Sequence, residues 1–286
     1  MQIDVIVPTF NRAPVVSKAI ESVLKQTYKN FNLYVVDDGS TDNTTEVLEI
    51  YKSHSNVHIL KQKNFGVSAA RNFAVNNSSA PWISFLDSDD EWLPNKLELQ
   101  IAWLKNNPSI RFLHGEEIWM RNGVRVNPKA KHAKSNENIF ERSLDFCLIS
   151  PSTVMMRRDL FVECGMFDES FIVCEDYDLW LKILIKENIG FTNEKLTIKN
   201  GGHDDQLSTK FVAMDYWRIK SLVQLYKNQS NDLSAEKKEQ IKNVLLKKSE
   251  ILLPAYLKHH NHKVYNEVFS MLTSIQLFSA GSQSRS

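Results

Sequence analysis

An apolar run, Trp82-Ile83-Ser84-Phe85-Leu86, ends in three carboxylates, Asp87, Asp89 and Asp90. Folding has no use for three like charges at a strand end, where they repel one another. A divalent cation resolves that repulsion, because hard carboxylate oxygens suit Mg²⁺ or Mn²⁺. A cation held by one or two carboxylates keeps room for water and for substrate phosphates. The chemistry implied is metal-assisted work on a phosphorylated, nucleotide-linked substrate. The plain alternative is a solvated acidic turn that caps the next helix.

Stepping outward, the first half of the chain alternates short apolar runs with helical patterns. Asp4-Val5-Ile6-Val7-Pro8 is too short for a helix and reads as a buried strand. Pro14 opens a helix with Val15, Val16, Ala19, Ile20, Val23 and Leu24 at helical spacing. Phe31 to Val36 is a second strand, and Val47, Leu48 and Tyr51 mark the helix after it. Val57 to Leu60, the small-residue helix 66–75, the strand 82–86 and a helix opened by Pro94 complete the series. That order predicts a mostly parallel sheet flanked by helices, with ligands beyond the carboxyl ends of the strands. Three polar clusters fall at such ends: Pro8-Thr9-Phe10-Asn11-Arg12, Asp37-Asp38-Gly39-Ser40 and Asp87-Ser88-Asp89-Asp90.

Further on, Ile110 to Met120 and Thr153 to Met156 read as strands, and Arg121 to Lys134 as a basic loop. Asp176 to Glu187 reads as an apolar helix. From about Phe211 the pattern is helical to Leu277, interrupted near Pro254, and 279–286 is a small polar tail.

The bulk numbers are those of a globular protein: 286 residues, 42% hydrophobic and 24% charged. Thirty-five basic residues face 34 acidic ones, a net charge of +1, which gives no electrostatic case for nucleic-acid binding. Cys147, Cys164 and Cys174 lack metal-ligand spacing and fit buried thiols in a reducing compartment. No basic and apolar leader precedes the first strand, and no apolar run reaches membrane-spanning length. The expectation is a cytoplasmic protein, with peripheral contact at the inner membrane face left open.

Five segments together resemble the inverting family 2 glycosyltransferases of the GT-A fold, over roughly positions 3–205. They are Val5 through Arg12, Val35 through Asp42, Asn64 through Asn72, Phe85 through Asp90 and Glu175 through Trp180. The resemblance implies transfer of a sugar from a nucleoside diphosphate sugar, a UDP-sugar above all, to an acceptor hydroxyl with inversion. It implies an α/β GT-A domain over 1–210, with a nucleotide-binding half (1–105), an acceptor-binding half (106–210) and a helical extension over 211–286. Asp87-Ser88-Asp89 would be the DxD motif, with Asp87 and Asp89 holding Mn²⁺ or Mg²⁺ and the diphosphate. Asp38 would accept a hydrogen bond from the base, near the backbone of Pro8 and Thr9. Asn11, Arg12, Arg71 and Ser88 complete the nucleotide-binding set. For Arg71 a salt bridge to Asp37 or Asp87 is the competing role, and Asp90 is left between acceptor contact and helix capping.

Asp176 is the expected base. An inverting transfer needs a carboxylate to take the acceptor's proton, and a helix N-terminus favours the ionised form. Helix capping is the structural alternative, and Glu175 and Asp178 are the next candidates. His203, in Asn200-Gly201-Gly202-His203-Asp204-Asp205-Gln206, is a candidate third metal ligand, better suited to Mn²⁺ than to Mg²⁺. The basic loop could meet an anionic acceptor or lipid headgroups, or simply be solvated. Lys237, Lys238, Lys242, Lys247 and Lys248, beside apolar positions, could face a membrane, a second copy of the chain or the catalytic core. The expected partners are the nucleotide-sugar donor and a glycan or lipid-linked acceptor. Two other classes compete: a sugar nucleotidyltransferase, which would want a glycine-rich phosphate loop where Pro8-Thr9-Phe10-Asn11-Arg12 stands, and a non-catalytic sugar-nucleotide-binding protein.

Overall fold

Strand β1 (Ile3–Thr9) is buried along its whole length, as a strand covered on both faces must be. Its side chains alternate between two cores. Ile3, Val5 and Val7 join the helix α1 (Val16–Leu24) in one cluster, while Ile6 joins the other. The computed structural model describes residues 1–127, 129, 132–202 and 214–278. His203 and its neighbours to Gln206 therefore lie outside the described residues.

The chain continues through β2 (Phe31–Asp37), α2 (Thr44–Glu49), β3 (Val57–Lys61), α3 (Val67–Asn76), β4 (Trp82–Phe85), β5 (Glu91–Trp92) and α4 (Lys96–Asn106). Then follow β6 (Phe112–Arg121), β7 (Val124–Val126), α5 (Ile139–Asp145), β8 (Met155–Arg157), α6 (Arg158–Glu163), α7 (Glu175–Lys186) and β9 (Gly190–Gly201). Helices α8 (Met214–Asn228), α9 (Ala235–Lys258) and α10 (His262–Thr273) close the series.

Among the described residues nine strands form one sheet, ordered β3-β2-β1-β4-β8-β6-β9-β5, with β7 paired to β6. The first four are parallel, and the order reverses direction between β1 and β4. A crevice opens at such a switch point, beyond the carboxyl ends of the strands. The second half is mixed: β8 runs antiparallel to β4 and β6, while β6 and β9 are parallel. The expected strand at Thr153 begins two residues later, because Pro151–Thr153 forms a turn of 3₁₀ helix.

Three readings of the sequence change. The basic loop is partly a hairpin, β6–β7, turning at Asn122-Gly123, where both residues have positive φ. Lys134, read as part of a solvated or acceptor-facing loop, is buried and pairs with Glu117 Oε2 at 3.0 Å. Pro254 does not interrupt α9, which runs through it to Lys258. Pro254 and Glu250 both face solvent, so water can satisfy the Glu250 carbonyl that loses its amide partner.

The C-terminal helices share a core with the rest. Ile219, Leu222, Ile241, Leu245, Val268 and Leu272 are buried in the same cluster as Phe112 and Trp180. Asp178 on α7 accepts from Ser221 on α8 at 2.9 Å. Several lysines of α9 also turn back onto the chain. Lys248 reaches Asp215 at 2.9 Å, Lys247 reaches Asp145 at 3.2 Å, and Lys237 lies over the Phe140 ring.

Phe167 anchors the junction between sheet and α7. It is 2% exposed and meets Phe85, Phe161 and Trp180 edge-on at 5.3, 5.4 and 5.9 Å between ring centres. Truncating a buried aromatic costs about 3–5 kcal/mol. Phe167→Ala is therefore expected to lose about that much in urea denaturation, and a loss under 1 kcal/mol would show that the junction repacks freely.

Candidate active site

The crevice is lined from three strand ends. At the end of β1, Pro8 and Thr9 are buried, and the Thr9 carbonyl accepts from the Asp38 amide at 2.9 Å. The Thr9 hydroxyl is buried without a partner among the described residues. Asn11 adopts φ +53°, and its side-chain oxygen accepts from the amides of Thr41 (2.8 Å) and Asp42 (3.3 Å). The amides of Asn11 and Arg12 donate to Ser40 Oγ (2.9 Å) and Thr44 Oγ1 (2.8 Å). Asn11 and Arg12 thus knit the β1 and β2 loops together through backbone and amide contacts.

At the end of β2 the two aspartates divide. Asp37 holds its own turn, accepting from the Ser40 amide (2.9 Å) and Thr45 Oγ1 (2.6 Å). Asp38 reaches the loop before α3, accepting from Gln62 Nε2 (2.7 Å) and the amides of Phe65 (3.0 Å) and Gly66 (2.9 Å). An ionised carboxylate can accept about four hydrogen bonds, so Asp38 retains capacity for one more. Gly39 makes the turn at φ +78°, and a Cβ there would meet the Asn64 amide at 2.8 Å.

Ser68, Ala69 and Ala70 let α3 lie close to β1 and β2, and Arg71 follows on the buried side. Its guanidinium binds Asp87 Oδ1 through Nη2 and Glu175 Oε1 through Nη1, both at 2.7 Å, and lies 5.0 Å from the Phe167 ring centre. Burial works against its charge, but Asp87 and Glu175 outweigh that and hold it well above the usual arginine range. Of the two roles expected for Arg71, the salt bridge to Asp87 is present. Both of its terminal nitrogens point to carboxylates.

The acidic run is strapped from behind. The Asp87 amide donates to Ser152 Oγ (3.1 Å), and that hydroxyl donates to Asp90 Oδ2 (2.7 Å). Asp90 Oδ1 accepts from the Asn200 amide (3.0 Å), and Asn200 Nδ2 donates to the Asp89 carbonyl (2.8 Å). Asp90 is thus a buried tie between the turn and β9. Burial, with the charges of Asp87 and Asp89, pushes its carboxyl well above the usual range. Ser88 is buried, while Asp87 and Asp89 are half-buried at the crevice.

Across the crevice stands the N-terminus of α7. Asp176 Oδ1 accepts from the Tyr177 amide (2.7 Å), and Oδ2 accepts from the Cys147 thiol (3.3 Å). The other two candidates for base are committed elsewhere: Glu175 to Arg71, and Asp178 to Lys182 at 2.6 Å. Burial pushes the Glu175 carboxyl up to about 7, with Arg71 pulling it down and Asp176 pushing further up.

Sequence reading missed three contributors. Ser152 ties the acidic run, Cys147 holds one oxygen of Asp176, and Lys199 on β9 donates to Ser150 Oγ at 2.9 Å. Burial opposes the Lys199 charge, yet Glu117, Asp90, Asp87 and Asp176 raise it above the usual lysine range. Nothing in an isolated Ser, Cys or Lys signals these contacts; only the strand register brings them in. Among the described residues, no group of three or more His, Cys, Asp and Glu forms a ready metal cage. Two hard carboxylates on one turn, Asp87 and Asp89, fit a cation whose remaining ligands come from water and a diphosphate.

Known proteins resemble this chain in sequence and in fold. The model of glycosyl transferase family 2 matches residues 4–165. An uncharacterized glycosyltransferase of Rickettsia felis is 36% identical over 202 residues, covering 68% of this chain and 32% of that protein. The chain therefore spans about a third of the length of that relative. The Escherichia coli protein WfgD, a UDP-Glc:alpha-D-GlcNAc-diphosphoundecaprenol beta-1,3-glucosyltransferase, is 40% identical over 194 residues, covering 67% of this chain and 73% of that one. The structure of S. aureus TarS 1-349 in complex with UDP-GlcNAc superposes with a TM-score of 0.66 at 20% identity, covering 96% of this chain and 92% of TarS 1-349, a likeness of fold.

The raised Glu175 carboxyl has a consequence for stability. Its ordinary value is 4.5, so between about 4.5 and about 7 the folded state binds this proton more tightly than the unfolded chain does. Folding stability from this group therefore falls as pH rises through that window and is level above it. A glutamine has no proton to lose. The Tm of the wild-type chain minus that of Glu175→Gln should decrease from pH 4.5 to 7 and then stay constant. A difference that is flat across the window, or rises, contradicts the assignment.

Proposed function

The chain belongs to glycosyl transferase family 2, and from that premise we propose that it moves a sugar from a nucleoside diphosphate sugar to an acceptor hydroxyl with inversion. The observation that carries this reading is the double ion pair of Arg71. It joins Asp87 of the acidic run to Glu175, the neighbour of Asp176, and so brings a diphosphate-binding turn and a general base to one crevice.

The residues divide the work as follows. Asp38, with acceptor capacity to spare, takes a hydrogen bond from the nucleotide base beside Pro8 and Thr9. The buried Thr9 hydroxyl is a further polar group available to the nucleotide. Asn11 and Arg12 shape the loop that covers the phosphates, Ser88 lines the turn beneath them, and Arg71 fixes Asp87 from behind. Asp87 and Asp89, with His203, are the residues that would hold Mn²⁺ or Mg²⁺, and the chemistry supplied there is neutralisation of charge on the departing diphosphate. Asp176 accepts the proton of the acceptor hydroxyl while that oxygen attacks the anomeric carbon. The bond from that carbon to the diphosphate oxygen breaks, and its electron pair leaves with the diphosphate. The Cys147 thiol and the Tyr177 amide hold both Asp176 oxygens, fixing the direction in which the carboxylate faces.

The donor we favour is a UDP-sugar, and the acceptor a lipid-linked or polysaccharide glycan. The names of WfgD and of the TarS complex support that choice. We place the reaction in the cytoplasm. We take contact with a membrane-borne acceptor to be peripheral; no helix among the described residues is long and apolar enough to cross a membrane.

Asp176→Asn keeps the shape of the helix start and removes the base. Transfer should fall about 10²- to 10⁴-fold with an unchanged Tm. Asp89→Ala should abolish the Mn²⁺-dependent thermal shift given by a nucleoside diphosphate. Near-normal transfer by Asp176→Asn would remove Asp176 from its role, and an undiminished shift in Asp89→Ala would remove the metal assignment.

A further inference from the structure

Lys199 is a cation in a crevice of carboxylates, and no step above uses it. Its position is fixed by backbone. Residue 198 of β9 pairs with Glu91 and residue 199 with Trp119. The next residue, Asn200, grips the acidic run through the Asp90 carboxylate and the Asp89 carbonyl. The Lys199 ammonium rests on Ser150 Oγ at 2.9 Å, and Ser150 Oγ in turn donates to Glu117 Oε1 at 3.2 Å. Glu117 is already neutralised by Lys134 at 3.0 Å and accepts from the Trp119 indole at 2.7 Å. The Lys199 charge acts first on Glu117 and then on Asp90, Asp87 and Asp176, and the Ser150 on which its ammonium rests lies two residues from Ser152, whose hydroxyl straps Asp87 and Asp90. An ammonium carries three donors. One is spent on Ser150, which leaves two with no partner among the described residues.

We propose that Lys199 is a substrate-contacting residue that binds a diphosphate, and that it makes the acidic run take up a divalent cation together with a diphosphate rather than alone. The proposal rests on the transferase reading above. A bare cation arriving at Asp87 and Asp89 meets a like charge in the same crevice. A diphosphate arriving with it reverses the sign, because its oxygens satisfy both cations. The same chemistry has two sources, the donor nucleotide and a diphosphate-linked acceptor.

The test compares the wild-type chain with Lys199→Met, which keeps the length and removes the charge, and with Lys199→Arg, which keeps the charge. Mn²⁺ binding alone is read by electron paramagnetic resonance. Binding of UDP at saturating Mn²⁺, and of a short-chain lipid diphosphate sugar, is read by calorimetry. In a partly buried site, one neighbouring charge shifts such affinities by about tenfold or more. Lys199→Met should bind Mn²⁺ alone about tenfold more tightly and one of the two diphosphates about tenfold more weakly, while Lys199→Arg stays near wild type. Weakening confined to UDP assigns the contact to the donor, and weakening confined to the lipid diphosphate assigns it to the acceptor. If neither diphosphate is bound more weakly, the proposal falls. Unchanged Mn²⁺ binding overturns its counter-ion half. Asp89→Ala separates the two levels of the argument. If it too leaves Mn²⁺–UDP binding intact, the diphosphate-site reading itself has failed, and not the role of Lys199 alone.

Discussion

One buried guanidinium holds the two halves of the crevice together. Arg71 binds Asp87 and Glu175 at 2.7 Å each, while its own side chain is 3% exposed. A cation in that position is costly unless its partners are fixed. The three groups come from places remote in sequence: a helix near residue 70, a strand end near 87 and a helix start near 175. The ion pairs can form only when all three are correctly packed, so the geometry of the site is tied to completion of the fold. The Phe167 ring 5.0 Å away supplies the apolar wall that keeps water from loosening the pair.

The same constraint shapes the electrostatics. Two carboxylates share one guanidinium, and Asp89, Asp90 and Asp176 stand close by. Arg71 alone does not balance these carboxylates, and burial, with the charges of the neighbouring aspartates added, raises the Glu175 and Asp90 carboxyls. A site with surplus negative charge and hard oxygens is prepared for positive charge that arrives from outside. A structural ion-pair network would instead tend toward neutrality, as Glu117 and Lys134 do a short distance along β6.

Much of this was legible because some signals are local. Strand ends can be read from an apolar run that stops at polar residues, and that placed Thr9, Asp38 and Asp87 at one edge of the sheet. The helix start at Glu175-Asp176 was visible for a similar reason. What the residues could not show was pairing across long separations. Lys134 reads as one more charge in a basic loop until β6 brings Glu117 beneath it. Asp90 reads as a spare carboxylate until β9 supplies the Asn200 amide. Lys199 sits in a strand among other polar residues, and only the register of Ile198 with Glu91 and of Lys199 with Trp119 brings it beside the acidic run. Pro254 misled in the other direction, because a proline on a solvent-facing turn costs the helix one bond that water can replace.

The strap between the acidic run and β9 also bears on how that run is held against α7. β9 ends at Gly201, directly after gripping Asp89 and Asp90. α8 is in turn fixed to α7 by the bond from Ser221 to Asp178, two residues beyond Asp176. The acidic run is thus held to β9 and α7 to α8, while Arg71 bridges the run to the start of α7 directly. A shift of Asp87 is therefore felt beside Asp176 through Arg71 and Glu175, because both carboxylates answer to one buried guanidinium.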